Sequence, residues 1–124
     1  ARGVMWRHGL DYKCGTGHSF GYLLGVHEGP CRFMRAFNGT ELKPGMQMTI
    51  EPGVYREGIS GIRIENDVVV QSGEKIDIDQ YLYFENLTFV PMDRELIDTD
   101  MLSPEELNWV NDFQASVLTK VELC

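Results

Sequence analysis

No apolar run in this sequence approaches the ~20 residues that a membrane-spanning helix needs, and the first residues lack the pattern of a signal peptide. Basic residues are scarce: 11 Lys and Arg stand against 19 Asp and Glu, giving a net charge of −8. With no basic patch to neutralise phosphates, nucleic acid is not an expected partner, and neither is a membrane. Cysteine is sparse as well. Cys14, Cys31 and Cys124 form an odd set without framework spacing, which points to a reduced, intracellular compartment. The triplets Asn38-Gly39-Thr40 and Asn86-Leu87-Thr88 are of glycosylation type and argue weakly the other way. Repeats and low-complexity tracts are absent, and so is an initiator methionine. The chain opens with Ala1-Arg2-Gly3, from which we expect a piece of a longer protein. Its 124 residues make at most one modest domain, for which 43% hydrophobic content supplies an ample core.

What is present is organised around 48–70, MTIEPGVYREGISGIRIENDVVV. β-Branched residues recur on both sides of Glu57-Gly58-Ile59-Ser60, which predicts two strands joined by a turn. Alternation puts Glu51 on the face of Thr49, away from Met48 and Ile50. It also puts Arg63 with Glu65, away from Ile62 and Ile64. A turn at 57–60 then sets Glu51 within about one residue of the position opposite Glu65. Two carboxylates converging on one sheet face need a cation or a proton between them, or else one pKa rises steeply. The plainer alternative is a pair of solvent-facing carboxylates, one of them bound to Arg63. The Glu-Pro-Gly sequence argues against it for Glu51, because a bend directly after that residue fixes its direction.

Upstream, 14–30 reads CGTGHSFGYLLGVHEGP, with glycines at 15, 17, 21 and 25 around His18 and a second histidine at 27. This density of glycine suggests a cramped site, against the alternative of an ordinary glycine-rich loop with a surface histidine. Residues 32–45 read as a loop, with turns at Asn38-Gly39 and Lys43-Pro44-Gly45. Strands are expected over 47–55, 61–70 and 81–90, with a turn at Gln71-Ser72-Gly73 and a polar link at 77–80. One helix is expected before Cys14. A second runs from 104 to about 120, with Ser103 as N-cap, Pro104 in the first position and Glu106 completing a capping box. Leu107, Val110, Phe113, Val117 and Val121 give that helix one apolar stripe. Strands followed by a C-terminal helix imply an α+β arrangement.

The strings GTGHSFGYLLGVHEGP, MTIEPGVYREG, GIRIENDVVV and LTFVPMDRELID resemble the C-terminal half of the catalytic domain of Xaa-Pro aminopeptidases, the aminopeptidase P group of metallopeptidase family M24. Residues 87–121 are most similar to the cytosolic, long form. The resemblance implies a pita-bread (creatinase/aminopeptidase) fold, a curved antiparallel sheet with helices on one side, of which 1–124 is the C-terminal part. It implies removal of the N-terminal residue from peptides with proline in second position, in a cytoplasmic homodimer holding two divalent metal ions. Carried onto this chain, it makes His18, Glu51 and Glu65 metal ligands, and Glu51 also the general base. His27 would stand beside substrate and stabilise the tetrahedral intermediate. Arg63 would steady the site from behind the ligands, with Tyr55 nearby. Carboxylates with a single imidazole suit Mn²⁺ or Co²⁺, and Zn²⁺ is compatible.

Two departures stand out. The aspartate ligands and an additional histidine of the family have no counterpart in this chain, so the chain alone should be inactive and bind one divalent ion weakly. Cys14 occupies the place of a substrate-contacting histidine, and Ser19 that of a common glycine. A catalytically weakened relative that serves as a peptide- or protein-binding module is therefore the rival reading. A self-contained acidic interaction domain would explain the composition but not the motifs.

Overall fold

Alternating apolar and polar residues do build strands on both arms of 48–70, but each arm is interrupted once. In the computed structural model, which describes residues 1–36 and 39–122, β3 (Gln47–Ile50) pairs with β6 (Asn66–Ile76), and β4 (Gly53–Arg56) with β5 (Ser60–Arg63), both antiparallel. The pairs run from Gln47 opposite Val69 to Ile50 opposite Asn66, and resume with Gly53 opposite Arg63. The register is therefore constant across the gap, which sets Glu51 opposite Glu65. The interruption has two causes: Pro52 has no N–H to give the ladder, and the Glu51 N–H is diverted to the Thr16 carbonyl, 2.7 Å away. So the strands expected over 47–55 and 61–70 are four, three of 4 residues and β6 of 11. The tip reverses over 57–59, with Gly58 at φ 71° and the Ile59 N–H on the Arg56 carbonyl at 3.1 Å. Ser60, expected in the turn, opens β5.

The reversal expected at Gln71-Ser72-Gly73 does not occur. There β6 continues to Ile76 and pairs with β7 (Asp79–Asn86), with a bulge between Ser72 and Lys75. Gly73 serves this bulge, since a Cβ there would lie 3.2 Å from the Tyr81 carbonyl oxygen. The chain turns instead at Asp77-Ile78, with Asp77 at φ 54°, a conformation that aspartate tolerates. β7 accordingly begins before 81 and stops before 90, where Asp67 bonds Leu87 and the Thr88 hydroxyl. Among the described residues the strands form three ladders, β1–β2, β3–β6–β7 and β4–β5. The first joins β1 (Gly17–His18) to β2 (Arg32–Phe33), the latter within the stretch read as loop. The Lys43-Pro44-Gly45 turn is present, closed by Met46 N–H to Lys43 O at 3.2 Å with Gly45 at φ 87°. The expected Asn38-Gly39 turn and Cys124 lie outside the described residues.

The chain divides into two units, Ala1–Thr88 and Phe89–Cys124. In the first, Met48, Val68 and Val70 are fully buried, and Met48 and Val68 pack with Cys31 against Phe33, Leu42, Met46 and Ile50. The expected early helix is α1 (Arg2–Arg7). Arg2 lies over the Tyr12 ring, 3.9 Å from its centroid, donates to the carbonyls of Tyr12 and Cys14, and pairs with Asp11 at 2.8 Å. In the second unit α2 (Pro104–Glu122) begins with the capping box: Ser103 N–H donates to Glu106 at 2.8 Å, and Glu106 N–H to Ser103 Oγ at 3.2 Å. Phe113 and Val117 are buried, and Leu107 and Val110 half-buried. Val121, expected on the same stripe, is 59% exposed.

Asp11 gives a test of the first unit. Partial desolvation pushes its carboxyl up, but hydrogen bonds from Tyr12, Trp6 and Arg2, with the charge of Arg35, outweigh this and hold it below its ordinary 3.8. A carboxyl lowered on folding stabilises the fold above its unfolded pKa, and that contribution is lost as pH falls through the folded value. Asp11→Asn should therefore lower the thermal midpoint of the full-length protein at neutral pH, with the gap to wild type closing as pH falls below about 3.8. Thermal scans of both proteins across pH check this, and a gap that persists in acid would contradict it.

Candidate active site

The site is built where β1 crosses the start of the broken hairpin. A Cβ on Gly17 would sit 1.9 Å from the Thr49 carbonyl oxygen, so only glycine lets β1 lie this close to β3. That contact brings the His18 N–H to Thr49 Oγ1 at 3.1 Å, and the same hydroxyl donates to Glu51 Oε1 at 3.1 Å. His18 Nδ1 is 3.0 Å from the Ser19 carbonyl oxygen. A carbonyl only accepts, so Nδ1 carries the proton, and Nε2 faces Glu51 Oε1 at 2.8 Å. Two electron-rich atoms at this distance require a proton or a cation shared between them. The carbonyl behind the imidazole is the type of outer contact that orients a metal-binding histidine.

Around this pair lie two adjoining cavities of about 410 and 430 Å³, both walled by His18, His27, Glu51 and Arg63. Cys14 and Tyr55 complete the first, Glu65 and Asp67 the second. Every residue singled out in the sequence thus lines one cavity or both. The His27 ring lies 4.3 Å from that of His18, centroid to centroid. Cys14 Sγ is 3.3 Å from the Gly53 carbonyl oxygen, so the thiol is engaged with backbone. Arg63 donates through Nη1 to the Tyr55 hydroxyl at 3.2 Å and pairs through Nε with Glu65 at 3.3 Å. The hydrogen bond and charge interaction with Tyr55, then the charge of Glu65, push the Arg63 pKa up from its ordinary value. His18 and Glu51 touch, whereas Glu65 stands on the same wall bound to Arg63. Among the described residues no three His, Cys, Asp or Glu side chains cluster tightly enough to hold an ion by themselves.

Three contributors escaped the motif reading. Thr49 is 4% exposed and ties His18 to Glu51; its place on the Glu51 face was the available signal. Asp67 continues the same alternation from Glu65. Ser19 acts on His18 through its backbone carbonyl, for which no residue type is diagnostic. Its buried side chain accepts the Cys31 N–H at 3.1 Å.

Imidazole nitrogen and carboxylate oxygens on one wall are the donor types that a divalent metal takes, and His18, Glu51 and Glu65 would need donors from outside this chain to complete a site. The description "Metallopeptidase family M24" matches residues 1–72, and the C-terminal region of peptidase M24 matches residues 80–123; this chain belongs to that family. It is 45% identical over 130 residues to the probable Xaa-Pro aminopeptidase P of Coprinopsis cinerea, covering 98% of this chain and 20% of that protein. To Xaa-Pro aminopeptidase 1 of Dictyostelium discoideum it is 41% identical over 124 residues, with coverage of 98% and 20%. Among solved structures, X-prolyl aminopeptidase from Caenorhabditis elegans, described as a cytosolic enzyme with a di-nuclear active site, superposes with a TM-score of 0.85 at 39% identity, over 98% of this chain and 20% of that one. The fold is thus the pita-bread fold, and the chain spans about 20% of the length of these relatives.

Thr49→Val keeps the shape but leaves the His18 N–H without its buried acceptor, which typically costs about 1–3 kcal/mol. Chemical denaturation of the full-length protein should show a loss of that size. An unchanged midpoint would mean that the hydroxyl does not hold His18.

Proposed function

We propose that the full-length protein is a metal-dependent Xaa-Pro aminopeptidase, and that residues 1–124 are the C-terminal part of its catalytic domain. The observation that carries this reading is the approach of His18 Nε2 to Glu51 Oε1 at 2.8 Å, with the other imidazole nitrogen committed to a carbonyl, inside a cavity that Glu65 and His27 also wall. His18, Glu51 and Glu65 would hold two divalent ions together with ligands from elsewhere in the protein, Mn²⁺ being the first choice and Co²⁺ or Zn²⁺ compatible. A bound metal pair lowers the pKa of water and polarises a carbonyl. Glu51 accepts the proton of the attacking water as general base, held in direction by Thr49. His27 donates a hydrogen bond to the scissile oxygen as charge develops on it. Arg63 and Tyr55 keep Glu65 in place, and Cys14 lines the substrate side. The substrate is a peptide with proline second. We further propose a homodimer in the cytosol, supported by the resemblance and, for the compartment, by the free thiols of Cys14 and Cys31.

The thiol at 14 favours a second reading, a weakened relative that binds peptides without cleaving them, because a thiol engaged with the Gly53 carbonyl is a poor donor to substrate. Steady-state kinetics of the full-length protein on a Xaa-Pro peptide with Mn²⁺ separates the two. We expect slow turnover that is abolished in His18→Ala and Glu51→Ala and raised up to about 10²-fold in Cys14→His. No turnover from wild type or Cys14→His would leave the binding module.

The chain 1–124 alone, with part of the donor set, should release no N-terminal residue and bind one Mn²⁺ weakly. Calorimetric titration that found two tight sites would contradict this.

A further inference from the structure

The Glu51 backbone is held from outside its own hairpin. Where Pro52 breaks the ladder, the Thr16 carbonyl takes the Glu51 N–H at 2.7 Å. Thr16 is in turn fixed at two further points. Its N–H donates to the Phe33 carbonyl at 2.8 Å, and its Oγ1 shares a hydrogen bond with the Tyr12 hydroxyl at 2.6 Å. Tyr12 is 4% exposed and is braced by Arg2. That guanidinium lies 3.9 Å from the ring centroid and donates to the Tyr12 carbonyl and, at 2.6 Å, to the Cys14 carbonyl. The phenol hydroxyl is therefore a fixed point against which Thr16 is set. Thr16 needs one, because Gly15 and Gly17 on either side of it give the backbone wide conformational freedom.

We propose that Tyr12 and Thr16 are positioning residues of Glu51: the bond between their hydroxyls fixes the direction of the Thr16 carbonyl, and that carbonyl sets the backbone from which the Glu51 carboxylate projects. Thr49 Oγ1 holds the carboxylate itself at 3.1 Å, so Glu51 is restrained at its tip and at its root. The proposal rests on the reading of Glu51 as general base made above, and it adds what aims that base.

The test uses the full-length protein with four variants. Tyr12→Phe keeps the ring over Arg2, Thr16→Val keeps the shape, a third variant combines the two, and Thr16→Ser keeps a hydroxyl. Steady-state kinetics on a Xaa-Pro peptide with Mn²⁺ is read beside amide hydrogen exchange at Glu51 and the thermal midpoint. Tyr12→Phe and Thr16→Val should each lower kcat on the order of tenfold, since small misplacements of a reacting group are costly. KM should be unchanged and Glu51 exchange faster by a similar factor. The double variant should be no worse than either single one, and Thr16→Ser should match wild type. Wild-type kcat or wild-type Glu51 exchange in Tyr12→Phe overturns the proposal, and so do losses that multiply in the double variant. A lowered midpoint with unchanged kcat marks a merely structural role and overturns it too. If the wild-type protein shows no turnover, exchange decides by itself: faster exchange in Tyr12→Phe keeps the restraint on Glu51 while the peptidase reading falls, and unchanged exchange removes both.

Discussion

The site depends on one constraint, the unbroken antiparallel register that runs from Gln47 opposite Val69 to Arg56 opposite Ser60. Because side chains alternate strictly, this register places Thr49, Glu51, Gly53 and Tyr55 of one arm on the same face as Gly61, Arg63, Glu65 and Asp67 of the other. All but Gly53 and Gly61 line the cavities. Met48 and Val68, one residue out of phase, are buried, so a slip that moved the acidic face would also expel the core. Hydrophobic burial on one side of the hairpin thereby sets the positions of the charges on the other.

Backbone close to backbone is the second requirement. Gly17 lets His18 meet Thr49 and Glu51, and Pro52 releases Glu51 from the ladder so that its N–H turns to Thr16. The consequence is electrostatic. In a chain of net charge −8, carboxylates are held near one another and near an imidazole nitrogen with its lone pair outward. Such an arrangement is stable only with a positive partner. Arg63 supplies one to Glu65 and its charge also acts on Glu51, while the His18 Nε2–Glu51 Oε1 contact needs a proton or a cation between its two atoms.

Much of this was legible because alternation and capping are local. The shared face of Glu51 and Thr49, the Lys43-Pro44-Gly45 turn and the Ser103–Glu106 box each follow from residues within a few positions. Gln71-Ser72-Gly73 has the residues of a turn yet lies within a strand, because glycine marks bulges as well as turns. Only the partner strand, with Tyr81 O against Gly73, decides between them. The splitting of the arms at Pro52 depends on a carbonyl at Thr16, far away in sequence. Val121 kept the helical spacing yet stayed exposed, since periodicity gives the direction of a face and not the extent of what covers it. The role of Ser19 rests on a backbone carbonyl, which leaves no chemical signature in a residue type.

The interruption at Pro52 also has a dynamic side. Below it, β3 and β6 share Met48, Val68 and Val70 with the core. Above it, β4 and β5 form a two-stranded ribbon that is mostly exposed, and such a ribbon is marginal by itself. The amides of β3 and β6 should open only when the whole unit unfolds, while those of β4 and β5 can exchange with solvent through local fraying. Glu51 and Glu65 sit on the seam between the two regimes. The carboxylates are anchored from the rigid side, and Tyr55 and Arg63 reach them from the side that can breathe.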